Sequence, residues 1–472
     1  MLPTGNLILN TDSYKASHWL QYPPGVDATF FYLESRGGEY ERTLFFGLQS
    51  ILKEYLSRPV TPAMVDEAQA FFTAHGEPFN AIGWRHVVDQ HGGHLPIRLR
   101  AVPEGTVVPT HQALMTIEST CPACFWVPSY VETLLMRVWY PTTVATVSWH
   151  VKQAIRGYLA RTSERAAEEL PFTLHDFGAR GVSSAESAAL GGMAHLVNFR
   201  GTDTILGVLA AREYYGEAMA GFSIPATEHS TITAWGREHE LDAYRNVLRQ
   251  FARPGSVVAC VSDSYDLYHA IEAMWGGALR EDVIRSGATL VVRPDSGDPA
   301  EVVHKTLSLL NAAFGSTING KGYRVLNHVR VIQGDGVNPD SIRLILERIT
   351  HSGYSAENVA FGMGGALLQK LNRDTQKFAL KCSAARIDGA WIDVYKDPVT
   401  DHAKTSKRGR LTLARHRAHG TFKTIALPGS AVTANADALG PGWEDALQTV
   451  WENGELKRDW SFAEIRARSE AV

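Results

Sequence analysis

Between about residues 172 and 365, short apolar segments repeatedly end in acids, arginines, histidines or glycines. These positions are His175, Asp176, Arg180, Asp203, Glu228, His229, Asp263, Arg293, Asp295, Asp335, Gly364 and Gly365. Arginine forks and the backbone amides of glycine-rich turns bind anions, whereas carboxylates bind sugar hydroxyls or hydrated Mg²⁺. The combination indicates a ligand that carries both phosphate and hydroxyl groups, as a phosphorylated sugar does.

Three of the side chains in this region leave their chemistry open. His229, in ATEHST, fits a general base, a phosphoryl acceptor or a structural histidine. Asp263 follows the next apolar segment, where a carboxylate can orient the imidazole of His229. Phe177 follows Asp176 directly in HDFGARG, where an aromatic ring either stacks on a planar ligand or packs in the core.

The apolar segments that precede these residues alternate with helical patterns. The segments and their polar ends are FTLHDFGARG, LVNFRGTD, FSIPATEHS, VVACVSDSYD, TLVVRPDSGDP, VRVIQGDG and NVAFGMGG. Strand–helix units repeating every ~25–40 residues indicate parallel strands joined by right-handed crossovers. We therefore predict an α/β fold with a barrel-like sheet, whose carboxyl edge gathers the polar residues.

The two ends of the chain have a different pattern. Up to about residue 130 and beyond about residue 370, Gly and Pro separate short alternating segments such as ATFFYLES and GTFKTIAL. Such segments are typical of antiparallel strands and turns. We predict a catalytic α/β domain of residues 1–30 and 131–370, and a discontinuous, mostly β domain of residues 31–130 and 371–472.

Composition excludes several classes of protein. The chain has 472 residues, 44% of them apolar, with 46 Lys and Arg against 50 Asp and Glu. The net charge of −4 disfavours a nucleic-acid-binding protein. No apolar segment reaches the ~20 residues of a membrane span, and no signal peptide is recognisable, so we expect a cytoplasmic protein.

The cysteines form no disulfide framework. There are 4 in the whole chain, and Cys121 and Cys124 make one C-x-x-C sequence, CPAC. Structural zinc sites add a second cysteine pair or a histidine pair, and neither is evident from the sequence. We expect a turn at Pro122 with two buried thiols.

The common catalytic signatures are absent. GMGGAL, from Gly362, has Leu367 at the third glycine of G-x-G-x-x-G, and neither a P-loop nor a G-x-S-x-G elbow occurs. EHST and REHE do not extend to H-E-x-x-H. These absences disfavour hydride transfer on a Rossmann domain, P-loop phosphoryl transfer, α/β-hydrolase chemistry and zinc proteolysis.

A family resemblance covers almost the whole chain. HDFGARGVSS, FRGTDT, PATEHSTITAWG, VSDSYD, RPDSG, VIQGDG and FGMGGALLQKLNRD resemble, in order, motifs of the nicotinamide phosphoribosyltransferases. TDSYK, FFGLQ, GHLPIRLRAVPEG and WYPTTVAT extend the resemblance towards the N-terminus, and KCS, YKDP and KRGRLTL towards the C-terminus. The resemblance implies the type II phosphoribosyltransferase fold, an incomplete parallel α/β barrel with a mostly β domain built from both chain ends.

The resemblance also implies a reaction. The family forms nicotinamide mononucleotide and pyrophosphate from nicotinamide and phosphoribosyl pyrophosphate with Mg²⁺, a salvage step towards NAD. ATP phosphorylates a histidine and thereby couples its hydrolysis to synthesis. The family forms a head-to-tail homodimer in which each active site is completed by the partner subunit. No nucleic-acid or membrane partner is expected.

Residue roles follow by matching each motif. Phe177 is expected to stack on the pyridine ring, with Tyr14 of TDSYK covering its other face from the partner subunit. Asp203 is expected to accept a hydrogen bond from the carboxamide, and Arg293 to contact its oxygen. Asp295 is expected to contact the ribose, and Gly334 and Asp335 the ribose and phosphate. Gly364, Gly365 and Arg330 are expected to contact the 5′-phosphate, and Arg180 the pyrophosphate together with Arg373 and Lys381 of the partner subunit. His229 is expected to be phosphorylated with support from Asp263.

Two residues depart from the animal relatives, and two alternatives stay open. Ala179 replaces an aromatic residue and Met363 replaces a serine, which puts the shape of the tunnel beside the ring in doubt. One alternative is a nicotinate or quinolinate phosphoribosyltransferase of similar fold, although an acid substrate needs a cation where Asp203 stands. The other is a non-catalytic relative, disfavoured because the arginines and His229 are present.

Overall fold

The computed structural model describes residues 5–397, 400, 406–429 and 431–471. These residues form two compact units. The first comprises the described parts of Met1–Thr146, Glu213–Glu217 and Asn372–Val472. The second comprises Val147–Arg212 and Ala218–Leu371.

Strands occur in both units. In chain order they are β1 (Val26–Ser35), β2 (Arg42–Leu44), β3 (Ile97–Ala101), β4 (Val107–Pro109), β5 (Ala113–Ser119), β6 (Leu174–Asp176), β7 (Gly201–Thr202), β8 (Val257–Val261), β9 (Thr289–Arg293), β10 (Ser316–Ile318), β11 (Arg324–Leu326), β12 (Val329–Gln333), β13 (Val359–Met363), β14 (Phe378–Ile387), β15 (Ala390–Asp393), β16 (Leu411–His416), β17 (Phe422–Ala426), β18 (Trp443–Asp445), β19 (Gln448–Glu452) and β20 (Glu455–Leu456).

The α-helices vary from three to twenty-four residues in length. In chain order they are α1 (Leu48–Ile51), α2 (Pro62–His75), α3 (Ala81–His91), α4 (Val127–Tyr130), α5 (Glu132–Met136), α6 (Trp139–Thr162), α7 (Ala166–Glu169), α8 (Ala185–His195), α9 (Ile205–Tyr215), α10 (His229–Thr233), α11 (Glu240–Phe251), α12 (Leu267–His269), α13 (Arg280–Ser286), α14 (Pro299–Phe314), α15 (Pro339–His351), α16 (Gly365–Leu368), α17 (Ala436–Leu439) and α18 (Phe462–Glu470).

The first unit is built on an antiparallel sheet that joins both ends of the chain. Its strand order is β15-β14-β1-β5-β3-β19-β20. The N-terminal strand β1 lies between β14 and β5, and Tyr32 of β1 pairs with Lys381 of β14. One face packs into a continuous core that includes Phe45, Trp84 and Trp451. The predicted mostly β domain with segments from both ends is therefore present.

The second unit is built on a parallel sheet. Its strand order is β7-β6-β13-β12-β9-β8, and every pair in it is parallel. The segment 222–227 lies against both edges, because Phe222 pairs with Gly201 and Ala226 pairs with Ala259 as isolated bridges. Seven chain segments therefore surround the interior, which confirms the predicted incomplete α/β barrel.

Sequence signals at the strand–helix turns explain where the helices begin. Asp298 accepts the backbone N–H of Glu301 and precedes a proline at the first position of α14. Asn338 caps α15 in the same way and is also followed by a proline. A polar cap and a proline at the first helical position both favour helix initiation, so each loop after a strand is short and well defined.

The division between the units differs from the predicted boundaries at the N-terminal side. Residues 5–30 and 131–146 belong to the antiparallel unit, whereas the sequence placed them with the barrel. Strand β1 continues through residue 30. The Tyr130 hydroxyl donates to the Ile8 carbonyl at 2.7 Å, and Thr11 donates to the Tyr130 carbonyl at 2.9 Å. These contacts connect segments that are far apart in the chain.

Candidate active site

The carboxyl edge of the parallel sheet gathers most of the predicted polar residues. The centre of this edge is a network around Asp263, which follows β8. One Asp263 oxygen pairs with His229 Nε2 at 2.9 Å. The other accepts the backbone N–H of Asp295 at 2.9 Å and the hydroxyl of Ser296 at 2.6 Å. The structure thus brings His229, Asp263 and Asp295 together.

This network keeps Asp263 charged. Burial is the largest effect and raises the pKa of Asp263, but the hydrogen bonds from Ser296, His229 and the Asp295 amide together outweigh it, so the pKa lies below its usual value. The side chain of Asp263 is 5% exposed, whereas that of His229 is 44% exposed. A buried, charged carboxylate therefore holds a solvent-accessible imidazole in a fixed orientation.

Arg293, the last residue of β9, joins the same edge. Its guanidinium donates to Asp295 at 3.3 Å and to the Thr227 carbonyl at 3.4 Å. Gly334, just after β12, leaves space beside this pair: an added Cβ would lie 3.2 Å from Asp295 Oδ1 and 3.7 Å from Phe177. Gly334 therefore marks the point where the arginine, the carboxylate and the aromatic ring meet.

Phe177 lies across the mouth of the barrel. Its backbone N–H donates to the Met363 carbonyl at 3.0 Å. Its ring packs with the interior residues Ala259, Val291 and Ile332. A Cβ on Gly362 would come within 2.0 Å of the ring. Only a glycine at position 362 allows the ring to sit there, and the ring stays partly accessible at the edge.

Asp203 lies at the neighbouring edge strand. It follows β7, is exposed, and receives a hydrogen bond from the Ser223 hydroxyl. His175 is close to it: burial lowers the pKa of His175, while the nearby Asp203 charge opposes that shift. An exposed carboxylate beside a neutral imidazole suits an amide donor better than an anion.

Asp176, the last residue of β6, is buried beneath these groups. Its Oδ1 accepts the Gly178 N–H at 2.7 Å, and its Oδ2 is buried. Burial raises the pKa of Asp176 to about 6, despite the lowering effect of the Gly178 hydrogen bond. Asp176 supports the Phe177 turn and is not exposed to a ligand.

The glycine-rich turn after β13 lies beside Phe177. An added Cβ on Gly364 would lie 3.3 Å from the Phe177 carbonyl oxygen, and Gly365 has open space around it. A Cβ added to Gly181 would lie 3.8 Å from the backbone nitrogen of Gly365. This contact places the exposed Arg180 near the same turn. Asp335, after β12, is also exposed at this edge.

The structure separates Arg330 from this group. It is the second residue of β12, so about 13 Å of strand separates it from Gly334. Its guanidinium donates to the carbonyls of Leu326 and Val329 at 2.6 and 2.8 Å, towards the amino end of the strand. The geometry therefore does not support the expected 5′-phosphate contact.

Three predicted residues belong to the antiparallel unit. The Tyr14 ring is 54% exposed, and Lys15 lies over it at 5.4 Å. Arg373 is exposed at the end of the segment that leads into β14. Lys381 lies on β14, where burial and then the nearby cations lower its pKa, while Glu132 opposes them.

The structure also identifies residues that sequence reasoning missed. Ser223 contacts Asp203, Ser296 contacts Asp263, and Gly362 makes room for Phe177. A glycine inside a strand often marks a close approach, so Gly362 carried a readable signal. Ser223 and Ser296 carried none. Of the two departures, Ala179 is exposed, whereas Met363 is fully buried on the strand face opposite to Gly362.

Comparison with known protein families decides the affiliation of the chain. The nicotinate phosphoribosyltransferase (NAPRTase) family matches residues 172–453. The chain belongs to this family. Residues 6–99 match the N-terminal domain of nicotinamide phosphoribosyltransferase. The resemblance and the phosphoribosyltransferase class predicted from the sequence are confirmed.

Individual relatives agree with this affiliation. A nicotinamide phosphoribosyltransferase of Xanthomonas campestris is 68% identical over 99% of this chain and 98% of its own length. One of Mycoplasma pneumoniae is 32% identical over 85% of this chain and 94% of its own length. The match covers nearly the full length of both relatives.

Solved structures share the fold. A nicotinate-nucleotide pyrophosphorylase of Pyrococcus furiosus has a TM-score of 0.63 at 16% identity, covering 100% of this chain and 96% of its own. Human nicotinic acid phosphoribosyltransferase has a TM-score of 0.60 at 17% identity, covering 98% and 93%. In the described part of the chain, no helix has the length and apolarity to cross a membrane.

Proposed function

We propose that this chain transfers a phosphoribosyl group from phosphoribosyl pyrophosphate to nicotinamide, releasing nicotinamide mononucleotide and pyrophosphate. The observation that carries the proposal is the 68% identity, over almost the entire chain, to a protein named for this activity. The geometry of the carboxyl edge supports it, because one aromatic ring, one amide-accepting carboxylate and several anion-binding groups lie along the same edge.

Nicotinamide is recognised by its ring and by its amide. Phe177 offers an accessible ring face on which the pyridine stacks. Asp203, oriented by Ser223, accepts the carboxamide N–H, and Arg293 donates to the carboxamide oxygen. Nicotinate would place its carboxylate against that of Asp203, and the repulsion between the two like charges disfavours the acid.

Phosphoribosyl pyrophosphate occupies the rest of the edge. Asp295 and Asp335 bind the ribose hydroxyls, and the turn at Gly364 and Gly365 receives the 5′-phosphate through backbone N–H groups. Arg180 faces the pyrophosphate. The exposed Asp335 carboxylate, together with the substrate's own oxygens, matches the oxygen ligands that Mg²⁺ prefers. When bound, Mg²⁺ would neutralise charge on the pyrophosphate.

The reaction needs orientation and charge stabilisation more than proton transfer. The pyridine nitrogen uses its lone pair to form a bond to the anomeric carbon, and the bond from that carbon to the pyrophosphate oxygen breaks. Stacking on Phe177 holds the nitrogen in line with the bond that breaks. Positive charge develops on the ribose next to Asp295, while Arg180 stabilises the departing pyrophosphate. No general base is required.

His229 is the proposed acceptor of a phosphoryl group from ATP. Its Nε2 pairs with Asp263 at 2.9 Å, whereas Nδ1 is 3.9 Å from Asp295, beyond hydrogen-bond distance. When Asp263 accepts a hydrogen bond from Nε2–H of the neutral imidazole, the free lone pair of the ring lies on Nδ1. Nδ1 therefore attacks the γ-phosphorus of ATP, the bond to ADP breaks, and hydrolysis of the phosphohistidine drives synthesis forward.

The antiparallel unit is proposed to serve the partner's active site in a homodimer. It presents an exposed aromatic ring, Tyr14, beside the cation Lys15. Lys381 feels the charges of Arg36 and Lys396 as well as that of Lys15. Lys15 is paired with Glu132 and Arg36 with Glu34, so Lys381 is the cation proposed to contact the pyrophosphate, and Tyr14 suits the second face of the nicotinamide ring. Arg373 is proposed to act with Lys381.

The proposed location is the cytoplasm. All four cysteines are free thiols, which is the usual state of cysteines in a reducing compartment. Both substrates and ATP are cytoplasmic metabolites of the class that such an enzyme would use.

The decisive experiment follows mononucleotide formation from phosphoribosyl pyrophosphate with either nicotinamide or nicotinate, each with and without ATP. We expect turnover of nicotinamide, faster with ATP, and little turnover of nicotinate. Turnover of nicotinate alone would instead indicate a nicotinate phosphoribosyltransferase. No turnover of either substrate would indicate a non-catalytic relative.

Sharing of sites between subunits is tested by mixing two inactive variants. Tyr14→Ala and Phe177→Ala each damage both sites of their own homodimer. A heterodimer of the two has one site with both rings intact, so unfolding and refolding the mixture should restore about a quarter of the native activity. Activity that stays at the level of the separate variants would contradict a shared site.

A further inference from the structure

Four potential metal ligands meet in the antiparallel unit, far along the chain from the residues discussed above. They are His86 and His91 of α3 and Cys121 and Cys124 of the loop after β5, and we call them the Cys–His cluster. One ligand atom from each residue lies within 4.8 Å of the others. The sequence expectation of a simple turn with two buried thiols overlooked the histidine pair.

Local structure explains why the four side chains meet. Trp84 of α3 packs edge-on against Trp126 and Tyr130, with ring centroids 5.0 Å apart in each case. This packing docks α3 against the turn that carries the cysteines. Within that turn, the Cys124 N–H donates to the Cys121 carbonyl at 3.0 Å, which directs both thiols to the same side as α3.

The end of α3 positions His91. Gly92 adopts a left-handed conformation with φ of 59° and ends the helix there. The His94 N–H donates to the His91 carbonyl at 3.0 Å. His91 Nε2 is buried and has no hydrogen-bond partner among the described residues. A buried, unpaired imidazole nitrogen costs free energy, and coordination of a metal ion would satisfy it.

We propose that the Cys–His cluster binds one structural Zn²⁺ ion. Two thiolates and two imidazoles are a ligand set that zinc prefers, and C-x₂-C with H-x₄-H falls within the spacings of structural sites. Because four protein ligands fill a tetrahedral site, no position is left for substrate. The ion therefore connects α3 to the loop after β5 and takes no part in the reaction.

The required movement is small. Zinc bonds of about 2.3 Å to sulfur and 2.0–2.1 Å to nitrogen place the ligand atoms of a tetrahedron about 3.3–3.8 Å apart. Cys121 Sγ and His86 Nε2 are already 3.5 Å apart. The most distant pair, at no more than 4.8 Å, needs to approach by about 1 Å, which side-chain rotation supplies.

Two other functions of the same residues are chemically reasonable and make different predictions. Cys121 and His86 alone could form a reactive thiolate–imidazolium pair, and Cys121 with Cys124 could form a redox disulfide. Neither function uses His91. Zinc uses all four side chains, so His91 distinguishes zinc binding from both alternatives, whereas Cys124 distinguishes it only from the thiolate–imidazolium pair.

The test measures zinc in the full-length protein after removal of its affinity tag, incubation with Zn²⁺ and extensive dialysis. We expect about one ion per chain, and near-complete loss in Cys124→Ser and His91→Asn. Cys382→Ser and His75→Asn change a thiol and an imidazole outside the cluster and should keep the ion. A native protein without zinc, or a Cys124→Ser variant that retains it, would overturn the proposal.

Two measurements on the unmutated protein avoid dependence on variants that might fail to fold. Replacement of zinc by Co²⁺ should give the intense visible bands of a tetrahedral thiolate site, and their absence would contradict the ligand set. Removal of the metal by a chelator should lower the midpoint of thermal unfolding by several degrees. An unchanged midpoint would refute the structural role, as would a Cys121–Cys124 disulfide in the protein as isolated.

Discussion

The carboxyl edge of the parallel sheet and the Cys–His cluster both concentrate ionisable side chains, but they are built in opposite ways. At the edge, Asp203, Asp335 and Arg180 are exposed, and His229 is 44% exposed. In the cluster, four side chains face one another around a small space, and Cys124 is fully buried.

Under the two proposals above, this difference corresponds to substrate binding at the edge and stabilisation of the fold by the cluster. Groups that must receive and release ligands stay accessible and are supported from behind by buried groups such as Asp263. The four ligands of the proposed zinc site face one another, and a tetrahedral ion would leave no open position there. Changes at the edge should therefore alter turnover or specificity, whereas changes in the cluster should alter zinc content and unfolding.

The largest expected effect comes from filling the space under Phe177. Gly362→Ala places a methyl group where the ring lies, 2.0 Å from its carbon atoms, so the ring must move away from the ligand. Returning the ring to its stacking position against packing strain of about 3 kcal/mol should lower kcat/KM by about 100-fold, measured with nicotinamide as the varied substrate.

A matched glycine provides the control for this prediction. Gly157 lies in α6, and a Cβ there has nothing closer than Arg161 at 4.0 Å. Gly157→Ala should leave kcat/KM unchanged and should keep the same zinc content as the native protein. If both alanine variants lose activity equally, the space at Gly362 is not the reason.

The second largest effect is confined to ATP. In His229→Ala no imidazole remains to accept the phosphoryl group, so the ATP-dependent part of the rate should disappear while the ATP-independent rate persists. Asp263→Asn should weaken the same ATP effect, because a neutral amide accepts the hydrogen bond from Nε2–H more weakly than a charged carboxylate does. The measurement compares initial rates with and without ATP.

Incorporation of label from γ-³²P ATP gives an independent readout. Native protein should become labelled with acid-labile phosphate, and His229→Ala should not. Labelling that survives in His229→Ala would place the phosphoryl acceptor elsewhere.

A smaller effect concerns the choice between amide and acid. Asp203→Asn removes the charge that repels nicotinate, so the ratio of kcat/KM for nicotinamide over nicotinate should fall by about tenfold. The KM for phosphoribosyl pyrophosphate should change much less, because that ligand binds along other strands. Equal losses of binding for nicotinamide and for phosphoribosyl pyrophosphate would mean that Asp203 has a structural role.

The last expected effect leaves turnover alone: it is on stability and depends on pH. Since burial raises the pKa of Asp176 to about 6, its protonated form favours the folded state. This contribution is complete below the unfolded pKa of about 3.9 and is lost as pH rises through about 6. Asp176→Asn should therefore gain about 2 kcal/mol relative to the native protein between pH 4 and pH 7.

Urea unfolding of both proteins at the two pH values measures this gain. Glu347→Gln removes an exposed carboxyl on α15 and should show no such dependence on pH. A constant difference between native protein and Asp176→Asn across the range would refute the assignment.

The amino-acid sequence determined the features that depend on local chemistry. The order of strand–helix units could be read from periodicity, and the starts of α14 and α15 from their cap residues and prolines. Parallel strands must end at a common edge, so the convergence of Asp263, Arg293 and Gly334 also followed. The family motifs supplied roles for these residues that periodicity alone could not assign.

Only the tertiary structure decided which distant segments meet. The histidines of α3 precede the C-x-x-C turn by about thirty residues, and packing of Trp84 brings them together. Ser223 reaches Asp203 from the segment that follows α9, and residues 5–30 join the antiparallel unit through β1. Arg330 was predicted at the phosphate site from its motif, whereas the structure places it near the amino end of its strand, away from Gly334. Periodicity and caps describe neighbours along the chain, whereas these contacts depend on how separate segments pack.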